Sequence, residues 1–365
     1  VHEIELHPMR SIISSPLQSA FKQSILALSF EEVAALVQKL GWKKYRADQI
    51  LAWIYKRRAA GFDAMTDLSK LDRQRLSDEA EFSHLKISTH QISSDGTEKF
   101  LFELADGKQI ETVLIRSDKK RLTLCISSQA GCTLDCSFCL TAQEGLKRNL
   151  RADEIINQFL TVQARLPETE PITNVVLMGM GEPLANLASV TEACLRMISP
   201  AGLSLSSRRV TVSTAGMVPQ MKALVQGPAQ VNLSISLNAT TDEIRDQIMP
   251  KINRLYPLSI LMAACRALPL PPRRSITFEY VMLHGVNDTP ADASRLVHLT
   301  KGIACKVNLI PFNYFPGSPY QPTPDEDILR FQDHLHRHKI RTTIRKSKGR
   351  DILAACGQLT SQFAV

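Results

Sequence analysis

No stretch of the 365-residue chain approaches the ~18 consecutive apolar residues of a membrane-spanning helix. A helical membrane protein is therefore excluded, and no membrane partner is expected. The opening residues Val1-His2-Glu3-Ile4-Glu5 lack the basic, then apolar, then small-residue pattern of a secretory signal. A cytoplasmic setting is expected, where thiols stay reduced. Eight cysteines then read as metal or catalytic sites plus a few buried singles, not as a disulfide framework. Acidic residues are in deficit, 36 against 44 basic ones, so the net charge is +8. A cytosolic protein this basic fits a polyanionic partner such as nucleic acid. The basic residues cluster at Lys43-Lys44, Lys56-Arg57-Arg58, Lys119-Lys120-Arg121, Lys147-Arg148 and, most densely, between Arg337 and Arg350.

Residues 1–24 are mixed in character and read as a loose arm. Residues 25–85 read as a helical unit. Ser29 can cap a helix over Glu31 to Leu40, which Gly41 ends. A second helix is predicted over Arg46–Tyr55 and a third over Met65–Leu76. The period changes to two near residue 86. The runs Lys99–Leu104 and Gln109–Ile115 flank Asp106-Gly107, the signal of a β-hairpin. Residues 86–120 thus read as a linker and hairpin extension.

From residue 121 to 345, short strands alternate with helices. Strands are predicted at 121–127, 173–178, 208–213, 230–237, 275–282 and 305–310. This order implies a parallel sheet covered by helices. Yet several strands alternate apolar with polar residues, as in Val231-Asn232-Leu233-Ser234-Ile235-Ser236. A parallel sheet buried on both faces should not. A curled sheet, or partial barrel, with a polar and ligand-filled interior resolves the conflict. Cys125 then points inward, towards the same space as Ser213 and Ser236.

Cys132, Cys136 and Cys139 are spaced C-x3-C-x2-C just beyond the first strand. Three thiols this close usually hold a metal centre. A structural zinc needs four protein ligands; Cys125 could be the fourth, although it lies within a strand. A cubane iron–sulfur cluster on three cysteines would instead leave one iron open. Met178-Gly179-Met180-Gly181-Glu182-Pro183 follows the second strand. It lacks the third glycine of a dinucleotide fingerprint, but it places a carboxylate where an ammonium group could approach. Cys356 has small neighbours and a basic approach, which makes a reactive thiolate credible. Cys194, Cys265 and Cys305 read as buried structural residues. Residues 346–365 form a tail around Cys356.

C-x3-C-x2-C after the first strand of a βα barrel, with Phe138 before the last cysteine, resembles the radical S-adenosylmethionine (SAM) superfamily. Further segments narrow the resemblance: Cys125–Leu150, Met178–Leu184, Val210–Gly216, Ser234–Ala239, Leu309–Gly317, Arg345–Leu359 and, in the helical unit, Phe62–Lys70. Together they resemble the RlmN-type radical SAM RNA methyltransferases. The resemblance implies a partial (β/α)6 radical SAM barrel with an N-terminal helical accessory domain that docks RNA. It implies methylation of C2 of adenosine at position 2503 of 23S rRNA and at position 37 of tRNA. The implied cofactors are a [4Fe-4S] cluster on Cys132, Cys136 and Cys139, and two SAM molecules per turnover.

Carried onto this sequence, Cys356 is the methylated cysteine and Cys125 the thiol that resolves a protein–RNA adduct through a disulfide. Glu111 takes the C2 proton. Its strand pattern alone reads as an exposed edge position. SAM contacts fall on Gly181, Glu182, Ser213, Ser236, Leu237, Asn238 and Asn313. Asn238 stands where relatives often carry His, which favours a backbone contact there. An electron donor such as flavodoxin or ferredoxin is implied, and a monomer is expected. The Cys356 segment is expected to be mobile, because it must serve two SAM-dependent steps and an RNA adduct. Two other readings remain open: a related enzyme that methylates C8 of the same adenosine, and a zinc-bearing RNA-binding protein without catalysis.

Overall fold

The structure is a computed structural model that describes residues 22–117 and 121–361. The expected arm up to residue 21, and Lys119 and Lys120, lie outside the described residues.

Three helices open the chain: α1 (Phe30–Lys39), α2 (Tyr45–Tyr55) and α3 (Lys70–Glu79). At α1 the Ser29 hydroxyl accepts the Glu32 N–H, and the Glu32 carboxylate accepts the Ser29 N–H. This reciprocal cap satisfies two of the donors a helix start leaves free. The third helix begins five residues later than the sequence suggests. Ser69 caps it through the Asp72 N–H, while the preceding Met65 and Leu68 turn inward and are fully buried. Their apolar signal belongs to a turn, not to the helix.

The stretch after residue 86 forms three strands: β1 (Lys86–Ile92), β2 (Glu98–Glu103) and β3 (Gln109–Arg116). They make an antiparallel meander, and β3 pairs with β4 (Leu122–Cys125). The extension is therefore the continuation of the main sheet, and it has one strand more than a hairpin. A small second sheet joins β5 (Gln129–Gly131) to β6 (Leu146–Asn149), and α4 (Leu140–Gln143) lies between them. It brackets the cysteine loop. Gly131 has φ +74°, and a Cβ there would sit 1.8 Å from the Gly145 carbonyl oxygen; only glycine fits so close an approach.

Beyond it come α5 (Ala152–Arg165), β7 (Asn174–Leu177), α6 (Leu187–Ile198), β8 (Val210–Thr214), α7 (Val218–Gln226) and β9 (Asn232–Ser236). The remaining elements are α8 (Asp242–Ile248), α9 (Pro250–Leu255), α10 (Leu258–Ala267), β10 (Ile276–Met282), α11 (Pro290–Thr300), β11 (Cys305–Pro311), α12 (Asp325–Arg337) and β12 (Thr342–Ile344). The strands run parallel in the order β4-β7-β8-β9-β10-β11-β12. All six expected strands are present, and β12 adds a short seventh.

The apolar face, with Val210, Val212, Leu233, Ile235, Phe278 and Tyr280, is buried in the main core. Burying each such side chain stabilises the fold by roughly 1.5–3 kcal/mol. Residues that follow the first and the last parallel strands line one common cavity, so the sheet curls into a partial barrel. Among the described residues, no helix is long and apolar enough to cross a membrane.

Candidate active site

The cavity opens at the carboxyl ends of the parallel strands and holds about 950 Å³ of space continuous with solvent. Cys132, Cys136 and Cys139 form one wall, and Gly181 and Glu182 another. Ser213, Ser236, Asn238, Asn313 and Cys356 also line it. Ten of the thirteen residues singled out in the sequence therefore meet at one place. The other three, Cys125, Glu111 and Leu237, do not line it.

The cysteine loop is held from below by the α8–α9 segment. Ser137 N–H donates to the Ile248 carbonyl at 3.0 Å, and Lys251 N–H to Asp135 Oδ1 at 3.1 Å. Burial pushes the Cys132 thiol up to about 12. Burial, and then repulsion from the other two sulfurs, raises Cys136 well above the ordinary thiol range. Such a trio gains from a cation that replaces its protons. The Leu134 N–H points at Cys132 Sγ, 3.4 Å away, as a donor to a thiolate would. Three cysteines leave a structural zinc one ligand short; a cluster takes three thiolates at separate corners and leaves one iron open. The donor set fits the cluster.

Glu182 is buried, and its carboxylate accepts the N–H groups of Ala215 (2.8 Å) and Leu184 (3.0 Å). Burial pushes its carboxyl above the usual carboxylate range, and these donors oppose the rise. Among the described residues it has no ion-pair partner. A buried carboxylate without a cation, on the wall of a cavity, fits the ammonium of an amino acid. Gly181 has φ +97°, and a Cβ there would lie 2.5 Å from Gln129 Cβ. The glycine lets the loop lie against β5 while Glu182 N–H reaches Gln129 Oε1 at 2.9 Å.

Asn238 has φ +57°. Its side chain accepts the Val281 N–H (2.9 Å) and donates to Met249 Sδ (3.4 Å). That side chain ties β9 to β10, consistent with a ligand contact through backbone. Leu237 is fully buried and its N–H donates to the Glu279 carbonyl. Asn313 Nδ2 donates to the Cys356 carbonyl at 3.1 Å, so it positions the tail as well as the wall.

Cys125 ends β4 and is buried in the main core, not on the cavity wall where alternation places it. Burial first, then the neighbouring Cys356 sulfur, pushes its thiol up to about 12, while Arg345 opposes the rise. All eight cysteines are free thiols. The Cys125–Cys356 disulfide implied by the resemblance is not part of this structure.

Glu111 is not the exposed edge residue its strand pattern suggests. It is 2% exposed and ion-paired with Lys99, itself 5% exposed, at 2.9 Å. Its second oxygen accepts the Thr360 N–H at 2.8 Å. Lys99 was not among the expected site residues, and neither were Arg345 and Glu279. Arg345 and Glu279 line the deep end of the cavity. Glu279 accepts from Ser234 Oγ (3.2 Å) and Asn308 Nδ2 (2.7 Å). A charge at an inward position of an alternating strand, as in Thr277-Phe278-Glu279, was the available signal.

The Arg337–Arg350 cluster is not one surface. Arg337, Lys339 and Arg341 precede β12, at the end of the sheet away from the cavity. Arg345 enters the cavity, and Lys346 and Arg350 lie exposed beside it.

A curled parallel sheet with a three-cysteine loop after its first strand and an uncompensated carboxylate after its second defines a radical SAM enzyme. Known proteins agree. The Radical SAM superfamily matches residues 126–297, and the ribosomal RNA large subunit methyltransferase N-terminal domain matches residues 23–82. A radical SAM methyltransferase structure from Sphaerobacter thermophilus superposes with a TM-score of 0.87 at 40% identity, covering 92% of this chain and 99% of that one. The dual-specificity RNA methyltransferase RlmN of Syntrophus aciditrophicus is 47% identical over 93% of this chain and 97% of its own length. That of Geobacter sulfurreducens is 50% identical over 93% and 92%. The chain belongs to the RlmN family of radical SAM RNA methyltransferases.

Proposed function

We propose that this enzyme methylates C2 of an adenosine in 23S rRNA and in tRNA, through a methylated Cys356 and a transient protein–RNA adduct. The observation that carries the reading is the meeting, at one cavity, of the cysteine loop, the Glu182 carboxylate and the Cys356 sulfur, with Cys125 next to that sulfur. C2 of adenine is electrophilic, so a nucleophilic attack on the SAM methyl group does not serve it. A thiolate does, and Cys356 is the thiol that lines the cavity outside the cysteine loop. Cys132, Cys136 and Cys139 would hold the cluster, and with an electron donor of the flavodoxin or ferredoxin kind it would supply the electron that cleaves SAM to a deoxyadenosyl radical.

The chain's own residues do the rest. Glu182 holds the SAM ammonium, and the backbone of 236–238 with Ser213 and Asn313 confines the nucleoside. Cys356 takes a methyl group from one SAM molecule; a second SAM is consumed when a hydrogen leaves that methyl. The resulting carbon bonds to C2, joining enzyme and RNA. The adduct gives up one electron to the redox chain that supplied the reducing electron, and Glu111 accepts the C2 proton, which restores the ring. The Cys125 thiolate attacks the Cys356 sulfur; the sulfur–carbon bond breaks with its electron pair on the carbon, which takes up a proton to become the methyl group, and the transient disulfide is reopened by a thiol reductant. Glu111 reaches the adenine only after Thr360 N–H leaves it. The target base must leave its stack to enter the cavity, and the exposed basic groups of the helical unit and tail hold the phosphates. This setting is the cytoplasm, and a single copy of the chain carries every group named.

RNA methylated by the enzyme, digested and compared by mass spectrometry with 2-methyl- and 8-methyladenosine, tests the position. The 2-methyl product is expected; the 8-methyl product would overturn the reading. Cys125→Ala should accumulate protein joined to RNA through Cys356. Normal turnover without an adduct would remove Cys125 from its role.

A further inference from the structure

Arg245 is the largest fully buried side chain among the described residues, with no exposed surface. It sits on α8, the helix whose end supports the cysteine loop through Ile248 and Ser137. Its guanidinium makes four hydrogen bonds, and every acceptor is neutral. Nη2 donates to the Ala215 carbonyl (2.7 Å), Nη1 to Asn253 Oδ1 (3.0 Å) and the Tyr256 carbonyl (3.1 Å), and Nε to the Leu237 carbonyl (3.4 Å). Among the described residues no carboxylate pairs with it. Asp242 and Asp246, on the same helix, direct their oxygens to the Leu258 N–H and to Asn253 Nδ2.

A buried guanidinium whose hydrogen bonds all go to neutral acceptors is costly unless negative charge lies near it. Burial pushes Arg245 down to about 10, so it stays charged at neutral pH. Chief among the groups opposing that fall is the Cys136 sulfur. The cation lies behind the cysteine loop by geometry: its helix ends at Ile248, which holds Ser137, and the guanidinium joins the Ala215 and Leu237 carbonyls in the loops that follow β8 and β9.

We propose that Arg245 is the fixed counter-cation of the cluster held by Cys132, Cys136 and Cys139, and that its charge raises the cluster's reduction potential. The inference rests on the cluster reading of those three thiols. A thiolate-ligated cluster becomes more negative when reduced, and net charge around it sets its potential. A cation in a dry, low-dielectric site favours the reduced form most. The residue acts through the cluster, not on the substrate.

The test is anaerobic redox titration of the reconstituted protein, read by electron paramagnetic resonance, with iron counted in each sample. Wild-type protein without cluster iron would defeat the cluster reading itself, independently of Arg245. With iron present, Arg245→Gln should hold at least tenfold less reduced cluster at a fixed solution potential. That corresponds to about 59 mV or more for a one-electron couple. Arg245→Lys keeps the charge, loses the fork, and should stay close to wild type. A Gln midpoint equal to wild type would overturn the proposal, as would equal shifts in both variants. Should the Gln variant not fold, Arg245→His takes its place. Its ring is charged only at lower pH, so the midpoint should drop as pH rises through its titration. The absence of that extra step relative to wild type would equally overturn the proposal.

Discussion

Lys99→Met isolates the buried pair beneath the tail. Both partners are almost wholly inaccessible, at 5% and 2% exposure, and 2.9 Å apart. Removing one member of such a pair leaves the other charge uncompensated and costs about 3–5 kcal/mol. At 1.36 kcal/mol per factor of ten, that is roughly two to four orders of magnitude in the folding equilibrium. The loss should depend on pH. Burial holds the Glu111 carboxyl above its ordinary value of 4.5, and Lys99 is the strongest influence pulling it back. Without Lys99 the folded-state value climbs further. A carboxyl with a raised folded value binds protons more tightly when native, so stability falls as pH rises between the unfolded and the folded values. The deficit of the variant should therefore be small near pH 4.5 and grow as pH climbs through the raised folded value. Urea unfolding of wild type, Lys99→Met, Glu111→Leu and the double variant, at several pH values, measures it. The double variant should recover most of the loss, because it buries no charge. A deficit that is flat with pH and undiminished in the double variant would refute the reasoning.

Two other changes test the site. Gly181→Ala forces a Cβ to within 2.5 Å of Gln129 Cβ from a backbone at φ +97°; SAM affinity, measured anaerobically by calorimetry, should fall at least tenfold. Glu144→Ala removes the carboxylate that accepts from Ser361 N–H, Ser361 Oγ and Thr360 Oγ1; limited proteolysis should then cleave the chain beyond Gly357 faster than in wild type, with the barrel intact.

The six expected parallel strands were legible because small polar residues alternate with branched apolar ones. That is a rare pattern for a parallel sheet, and it pointed to an interior with a ligand. The cysteine loop was legible because its spacing is chemical. β12 was not, since three residues carry no period. Nor was α9, a six-residue helix that proline begins at Pro250. The pairing of Lys99 with Glu111 was hidden for a different reason. The two lie on adjacent strands, where register decides who meets whom: Glu111 faces Leu101, and Lys99 faces Val113. Their meeting is diagonal, and their burial comes from a tail some 250 residues later in sequence. Charge density along the chain misled for a similar reason, because β12 carries the two halves of the Arg337–Arg350 cluster to opposite ends of the sheet.

The tail is held more firmly than its expected mobility implies, and it is held in two separable parts. Gly349 N–H donates to Asp95 at 3.0 Å, and Asp351 accepts from Ser93 and Ser94 at the β1–β2 turn. The Leu140 N–H meets the Gly357 carbonyl at 2.8 Å, and Gln358 Nε2 the Tyr314 carbonyl at 2.7 Å. These bonds tie the segment that carries Cys356 to the barrel rim, at roughly 0.5–1.5 kcal/mol each. The last described residues are tied elsewhere, to Glu111 through Thr360 and to Glu144 through Thr360 and Ser361. The bonds that cover Glu111 are thus not those that place Cys356. A substrate base could displace residues 359–361 and uncover the carboxylate while the sulfur stays at the cavity wall. Glu144 lies five residues beyond Cys139, so the chain leaving the cysteine loop is also the chain that holds the strap.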